Sequence, residues 1–137
     1  MATNFDVTRV VLCGSFRKDQ TGLLDAYHEL IDTNCQVLSP HSLDFDDQEF
    51  VRDNATLDMS ARALEDYHLM SIRQADFIWL HAPDGYIGLS AAFEIGYALA
   101  HHIPVYSRTA ISDSNLRNYI EAAQSVFDAK QHLRLAS

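Results

Sequence analysis

Positive charge is scarce in this chain: ten Lys and Arg stand against 19 Asp and Glu, a formal net charge of −9. Neutralising the phosphates of a polyanion requires clustered cations, so this balance argues against a nucleic-acid polymer as partner. A single Arg can still hold a small anion. Long apolar runs are also missing. None reaches the roughly 18 residues of a membrane span, and the opening MATNFDVTR lacks a signal-peptide core. These absences predict a cytoplasmic protein with no membrane partner. Cysteine is limited to Cys13 and Cys35, without CxxC spacing, which gives no disulfide framework and no zinc motif. Both fall in or beside predicted strands and read as small buried hydrophobes. No internal repeat, low-complexity tract or linker divides the chain. Its 137 residues suit one domain over 1–137, long enough for an independent core and too short for a second.

What is present is a repeated alternation of short apolar runs with helical spacing. Arg9 to Cys13 reads as a central strand, ending at Gly14-Ser15-Phe16-Arg17. Leu23, Leu24, Tyr27, Leu30 and Ile31 recur at helical intervals, predicting a helix over 20–32 with Asn34 at its C-terminal end. Cys35 to Leu38 is a second strand, stopped by Ser39-Pro40. Between His41 and Asn54 stand Asp44, Asp46, Asp47, Glu49 and Asp53, interrupted by Phe45, Phe50 and Val51. That connection is either a lid or binding loop, or a solvated loop pinned by its aromatics. From Leu57 to Gln74 the pattern is helical again, with Leu57, Ala61, Leu64, His68 and Ile72 along one stripe. His68 is therefore aimed inward, while Glu65 and Asp66 look like solvent-facing charges.

The organising stretch runs from Ala75 to Ser107, ADFIWLHAPDGYIGLSAAFEIGYALAHHIPVYS. Phe77 to Leu80 has the continuous apolarity of a strand buried on both faces, and Pro83-Asp84-Gly85 is a turn cluster. Leu89 to Ala100 predicts a helix buried nearly all round, with Ser90 as its N-cap and Glu94 as its only carboxylate. Pro104-Val105-Tyr106 is the next strand. Tyr119 to Ala122 reads as a short edge strand, and Ser125 caps a closing helix from Val126 to about Leu133. Five strands alternating with helices imply an α/β, doubly wound parallel sheet in the order 2-1-3-4-5.

Several of these residues support chemistry, and each has an ordinary structural reading beside it. Gly14 either opens an anion-binding βα turn with Arg17 as a cationic fork, or simply makes the turn tight. His68 is either an acid-base group or a satisfied core histidine. Asp84 either closes a turn with Gly85 or binds a ligand hydroxyl, and Tyr86 either stacks on a base or covers the core. Glu94 near a helix start feels two opposed forces, because the dipole favours its ionised form and burial disfavours it. If ionised in a dry pocket, it is a nucleophile or cation stabiliser suited to an oxocarbenium-like sugar. Otherwise it supplements the helix cap.

The pattern AD-FIWL-x(3)-DGYIGLS-x(3)-EIGYALA-x(3)-PVY, with the earlier VLCGSFR, resembles the nucleoside 2-deoxyribosyltransferase family, which includes nucleotide N-hydrolases. The likeness runs from about Arg9 to Ala129 and is most specific over Asp76 to Tyr106. It implies a three-layer, flavodoxin-like (Rossmann-like) sheet and cleavage or transfer at the N-glycosidic bond of a nucleoside or nucleotide. It further implies Glu94 as the nucleophile at C1′, and Gly14, Ser15, Phe16 and Arg17 around sugar or phosphate. Apart from the resemblance, the residues themselves make Asp84, Gly85, Tyr86, Gly88 and Ser90 the further candidate substrate contacts. Two positions depart from the family pattern. Eight residues before Asp76, where the family usually carries an Asp, stands His68, whose imidazole can protonate a base near neutral pH. Six residues before Glu94 stands Gly88 rather than Ser, with Ser90 beside it, so a 5′-phosphate preference does not carry over. The resemblance implies no metal or organic cofactor, and a homodimer or larger homo-oligomer. The alternative expectation is a non-catalytic sensor that binds a nucleoside or nucleotide without turnover.

Overall fold

The computed structural model describes residues 7–41 and 59–136, and in it the first apolar run is strand β1, Thr8–Gly14. Side chains along a strand alternate between faces, so Val10 and Leu12 join one core cluster while Val11 and Cys13 join another. None of these four exposes any surface. The same division continues in β3, Phe77–His81, where Phe77 and Trp79 face one way and Ile78 and Leu80 the other. Burial on both faces requires a layer of helices on each side. Helices α1, Gln20–Asp32, and α4, Val126–Ala136, supply one layer through Leu23, Ala26, Leu30, Val126 and Ala129. Helices α2, Ala61–Gln74, and α3, Leu89–Ala100, supply the other through Ile72, Ile95 and Ala98.

With β2, Cys35–Ser39, β4, Val105–Ser107, and β5, Glu121–Ala122, the sheet has five strands in the order β2-β1-β3-β4-β5. Every pairing is parallel. The α/β, Rossmann-like three-layer architecture expected from the alternation is therefore what the chain forms. Because the chain steps from β1 outward to β2 and then returns to the other side of β1, the order reverses between β1 and β3. The carboxyl ends of those strands border the crevice where such sheets hold ligands. Asp76, which opens the motif strand, lies at the opposite edge. Its Oδ2 accepts from the Arg9 backbone N–H at 2.8 Å, a structural role.

Several boundaries follow local chemistry. Asp19 caps α1 by accepting from Gly22 N–H at 3.0 Å. Asn34, just beyond α1, takes the left-handed conformation (φ 63°) that terminates helices. Ser60 caps α2 through Ala63 N–H, and the predicted start at Leu57 lies outside the described residues, as do the five acidic residues and the aromatics between 44 and 53. Ser125 caps α4 as expected, accepting from Asp128 N–H at 3.0 Å. Position Gly14 has φ 148°, and a Cβ there would run into the His81 carbonyl oxygen, so glycine is what lets β1 and β3 end side by side.

Three expectations are corrected. Tyr119 belongs to a 3-10 turn, Leu116–Tyr119, and the edge strand is only Glu121–Ala122. The N-cap of α3 is Gly88, with no side-chain cap, and Ser90 lies inside the first turn. Nor is α3 buried all round: it forms part of the outer layer, so Leu89 is 92% and Phe93 56% exposed while Ala91, Glu94, Ile95 and Ala98 face inward.

One long-range contact fastens the last helix to the first. Glu29 of α1 accepts the Val126 backbone N–H on Oε2 at 2.9 Å and pairs through Oε1 with Arg108 at 2.6 Å. Lys130 adds a bond to the Thr33 carbonyl at 2.8 Å. Among the described residues no helix is long and apolar enough to cross a membrane.

Candidate active site

At the crevice lies a cavity of about 690 Å³, within the range that holds a nucleoside-sized ligand. Four segments build its wall. The β1–α1 turn supplies Gly14, Ser15, Phe16, Arg17 and Lys18; the end of β2 supplies Ser39, Pro40 and His41; α2 supplies Ala61, Leu64, Glu65, Tyr67 and His68; and the start of α3 with the loop before it supplies Tyr86, Gly88, Leu89, Ser90, Ala91 and Glu94. Of the residues singled out in the sequence, Gly14, Ser15, Phe16, Arg17, His68, Tyr86, Gly88, Ser90 and Glu94 are thus brought together. Asp84 and Gly85 are not among the lining residues. Their 3-10 turn packs away from the cavity, with Ser112 Oγ donating to the Asp84 carbonyl at 3.2 Å and Ser112 N–H to the Gly85 carbonyl at 3.0 Å. Asp84 (φ 56°) and Gly85 (φ 81°) hold that turn, the role an Asp-Gly pair usually has.

Glu94 sits in the second turn of α3 and is only 7% exposed, too far along the helix to cap it. Its Oε1 lies 3.4 Å from His68 Nε2. The same ring nitrogen is 3.4 Å from Cys13 Sγ, and His68 Nδ1 shares a 2.6 Å hydrogen bond with Ser39 Oγ. β1, β2, α2 and α3 each contribute one member of this buried group, so the fold as a whole sets its geometry. Burial alone would raise the Glu94 carboxyl, but the His68 ring and the bonds received from Glu65 and Cys13 outweigh it, and the net direction is down. Burial, with the adjacent Glu94 charge, pushes the Cys13 thiol well up and keeps it protonated. Cys13 is therefore a polar participant as well as a packed side chain.

Glu65 corrects the sequence reading most directly. Rather than facing solvent with Asp66, it is partly buried in the cavity wall, where its carboxyl bonds to Glu94 and its buried Oε2 finds no other partner among the described residues. Burial first, then the neighbouring Glu94 carboxylate and Asp66, carry its carboxyl up to about 8. The two carboxyls of the cavity thus diverge: one is held ionised and the other protonated at neutral pH. Such a division of labour is how paired carboxylates perform nucleophilic and acid chemistry in one site.

At the mouth, Lys18 Nζ lies 4.5 Å above the Tyr86 ring, so Tyr86 edges the opening instead of covering the core. Tyr67 and His41 share a short hydrogen bond on the far wall. Outside the cavity, His81 Nε2 pairs with Asp19 Oδ2 at 3.1 Å, fixing the turn that carries Arg17 and Lys18. Spacing alone does not point to Lys18, Ser39, His41 or Tyr67. A signal for Ser39 and Pro40 existed all the same, because order 2-1-3-4-5 sets the end of β2 beside that of β1.

Cys13, His68 and Glu94 offer donor atoms within 4.8 Å of one another, a spread that one divalent cation could bridge. Hydrogen bonding already accounts for each of those atoms. No known family model matches this chain, and no curated protein matches it either.

Proposed function

We propose that the protein cleaves or transfers the N-glycosidic bond of a nucleoside or nucleotide, with Glu94 attacking the anomeric carbon. The observation that carries this reading is a buried carboxylate, Glu94, at the wall of a nucleoside-sized cavity with His68 Nε2 3.4 Å from its Oε1. Negative charge in a water-poor site stabilises an oxocarbenium-like carbon far better than it would in bulk water. The resemblance to the nucleoside 2-deoxyribosyltransferase family supports the reading, since it implies the same residue as nucleophile. Ser15 and Arg17 reach the hydroxymethyl or phosphate end of the substrate, and Tyr86 with Lys18 flanks the base. Water as acceptor makes the reaction a hydrolysis; a second base makes it a transfer. The exposed apolar pair Leu89 and Phe93, beside the cavity mouth, suits contact with a second copy of the chain.

A thermal-shift screen of nucleosides and nucleoside monophosphates, followed by chromatography for free base, tests the proposal. Base release that disappears in Glu94→Ala while ligand binding survives supports it. A wild type that binds these ligands but releases no base over a long incubation favours the sensor reading instead.

A further inference from the structure

The leaving base of an N-glycoside departs poorly as an anion, so a proton must meet it. Two cavity side chains are placed to carry one. His68 has both ring nitrogens engaged, Nδ1 with Ser39 and Nε2 between Cys13 and Glu94, and is 8% exposed. Releasing its proton upward would break the group that holds Glu94. Glu65, one helical turn earlier on the same face of α2, lines the cavity beside Glu94, to which it hydrogen-bonds, and its buried Oε2 has no other hydrogen-bond partner among the described residues, so its proton can turn from Glu94 to a ligand.

We propose that Glu65 is the acid that protonates the leaving base, and that His68 is a positioning residue for Glu94. The assignment rests on the glycosidic reading above and deepens it. As the bond from Glu94 to C1′ forms, the C1′–N bond breaks and its electron pair goes to the base, which takes the Glu65 proton. Glu65, now a carboxylate, then removes a proton from the water that attacks C1′. The Glu94–C1′ bond breaks, and both carboxyls return to their starting forms, giving free sugar and free base. Among the described residues, the titratable groups that act on Glu65 are Glu94 from α3, Asp66 from α2 itself and Cys13 from β1. The negative ones oppose its ionisation, which also supports its role as a proton donor (about 8).

The test compares two leaving groups. 4-Nitrophenyl β-D-ribofuranoside and its 2-deoxy analogue release an anion stable without protonation, whereas purine ribo- and deoxyribonucleosides do not. In kcat/KM, which reports the steps up to C1′–N or C1′–O cleavage, Glu65→Gln is expected to lose about a hundredfold or more on the nucleosides while changing little on the nitrophenyl glycosides. The kcat of the latter falls, because hydrolysis of the Glu94–C1′ bond still lacks its base. Glu65→Asp should recover part of the loss. His68→Gln should slow both classes alike and move the acid limb of the profile up in pH, because Glu94 loses its favourable neighbour. Equal kcat/KM losses on both classes in Glu65→Gln, or the selective pattern appearing in His68→Gln, would overturn the assignment and leave the glycosidic reading standing. A wild type inert on both classes overturns both. Melting curves of each variant separate lost chemistry from lost folding.

Discussion

Replacing Glu65 by Gln should make the protein more stable at neutral and alkaline pH, and the size of the gain can be worked from the site. The carboxyl rises from 4.5 to about 8 on folding, so the folded protein holds a proton that the unfolded chain releases. The sign follows from linkage: its favourable contribution is complete below about 4.5 and is lost as pH rises through about 8. At roughly 1.4 kcal/mol per pH unit the full shift would cost about 5 kcal/mol, but Glu65 is only half-buried and screening reduces this to on the order of 1–2 kcal/mol. Gln keeps the shape and never ionises, so the variant escapes that loss. Thermal melts at intervals from pH 5 to 9 should show the wild type falling relative to Glu65→Gln by roughly 3–8 °C across the window. Asp66→Asn, one residue along on an exposed position, is the control. Parallel curves for wild type and Glu65→Gln would mean that Glu65 is ionised and solvated in the folded protein, which would refute the reasoning.

Other outcomes follow from the same coordinates. Glu94→Gln should lower base release by about a thousandfold or more while a thermal-shift response to ligand persists, read by chromatography and melting in parallel. Gly14→Ala should destabilise by on the order of 2–4 kcal/mol in urea unfolding, because a methyl group meets the His81 carbonyl at a backbone angle that alanine avoids. Phe93→Glu should convert a dimer into a monomer in sedimentation velocity and remove any dependence of the melting temperature on protein concentration, since Phe93 is half-exposed within the protomer; a monomeric wild type would dismiss the role given to that face.

The strands were readable because burial on both sides leaves continuous apolar runs, and Arg9 to Cys13 and Phe77 to Leu80 carry that mark. The limits of α1 and α3 were equally plain, since Gln20–Asp32 and Leu89–Ala100 coincide with the expected spans. What spacing could not supply was the third dimension at the ends of elements. Glu65 stands three residues before His68, close enough on a helix to share its face, yet a Glu beside an Asp reads as surface until α3 is known to lie opposite. Asp84 showed the reverse: a motif position with good ligand chemistry is occupied in shaping a turn. The environment of Cys13 was hidden because a buried thiol in a strand looks apolar until His68, 55 residues away, is placed beside it.

The Glu29 carboxylate has a further effect on how the molecule comes apart. Strand β5 is two residues long, too short to anchor the carboxyl-terminal segment by sheet pairing. The segment is held instead by the buried Val126 and Ala129 and by Glu29 and Thr33 at the end of the first helix, so loosening either terminal helix strips hydrogen-bond partners from the other.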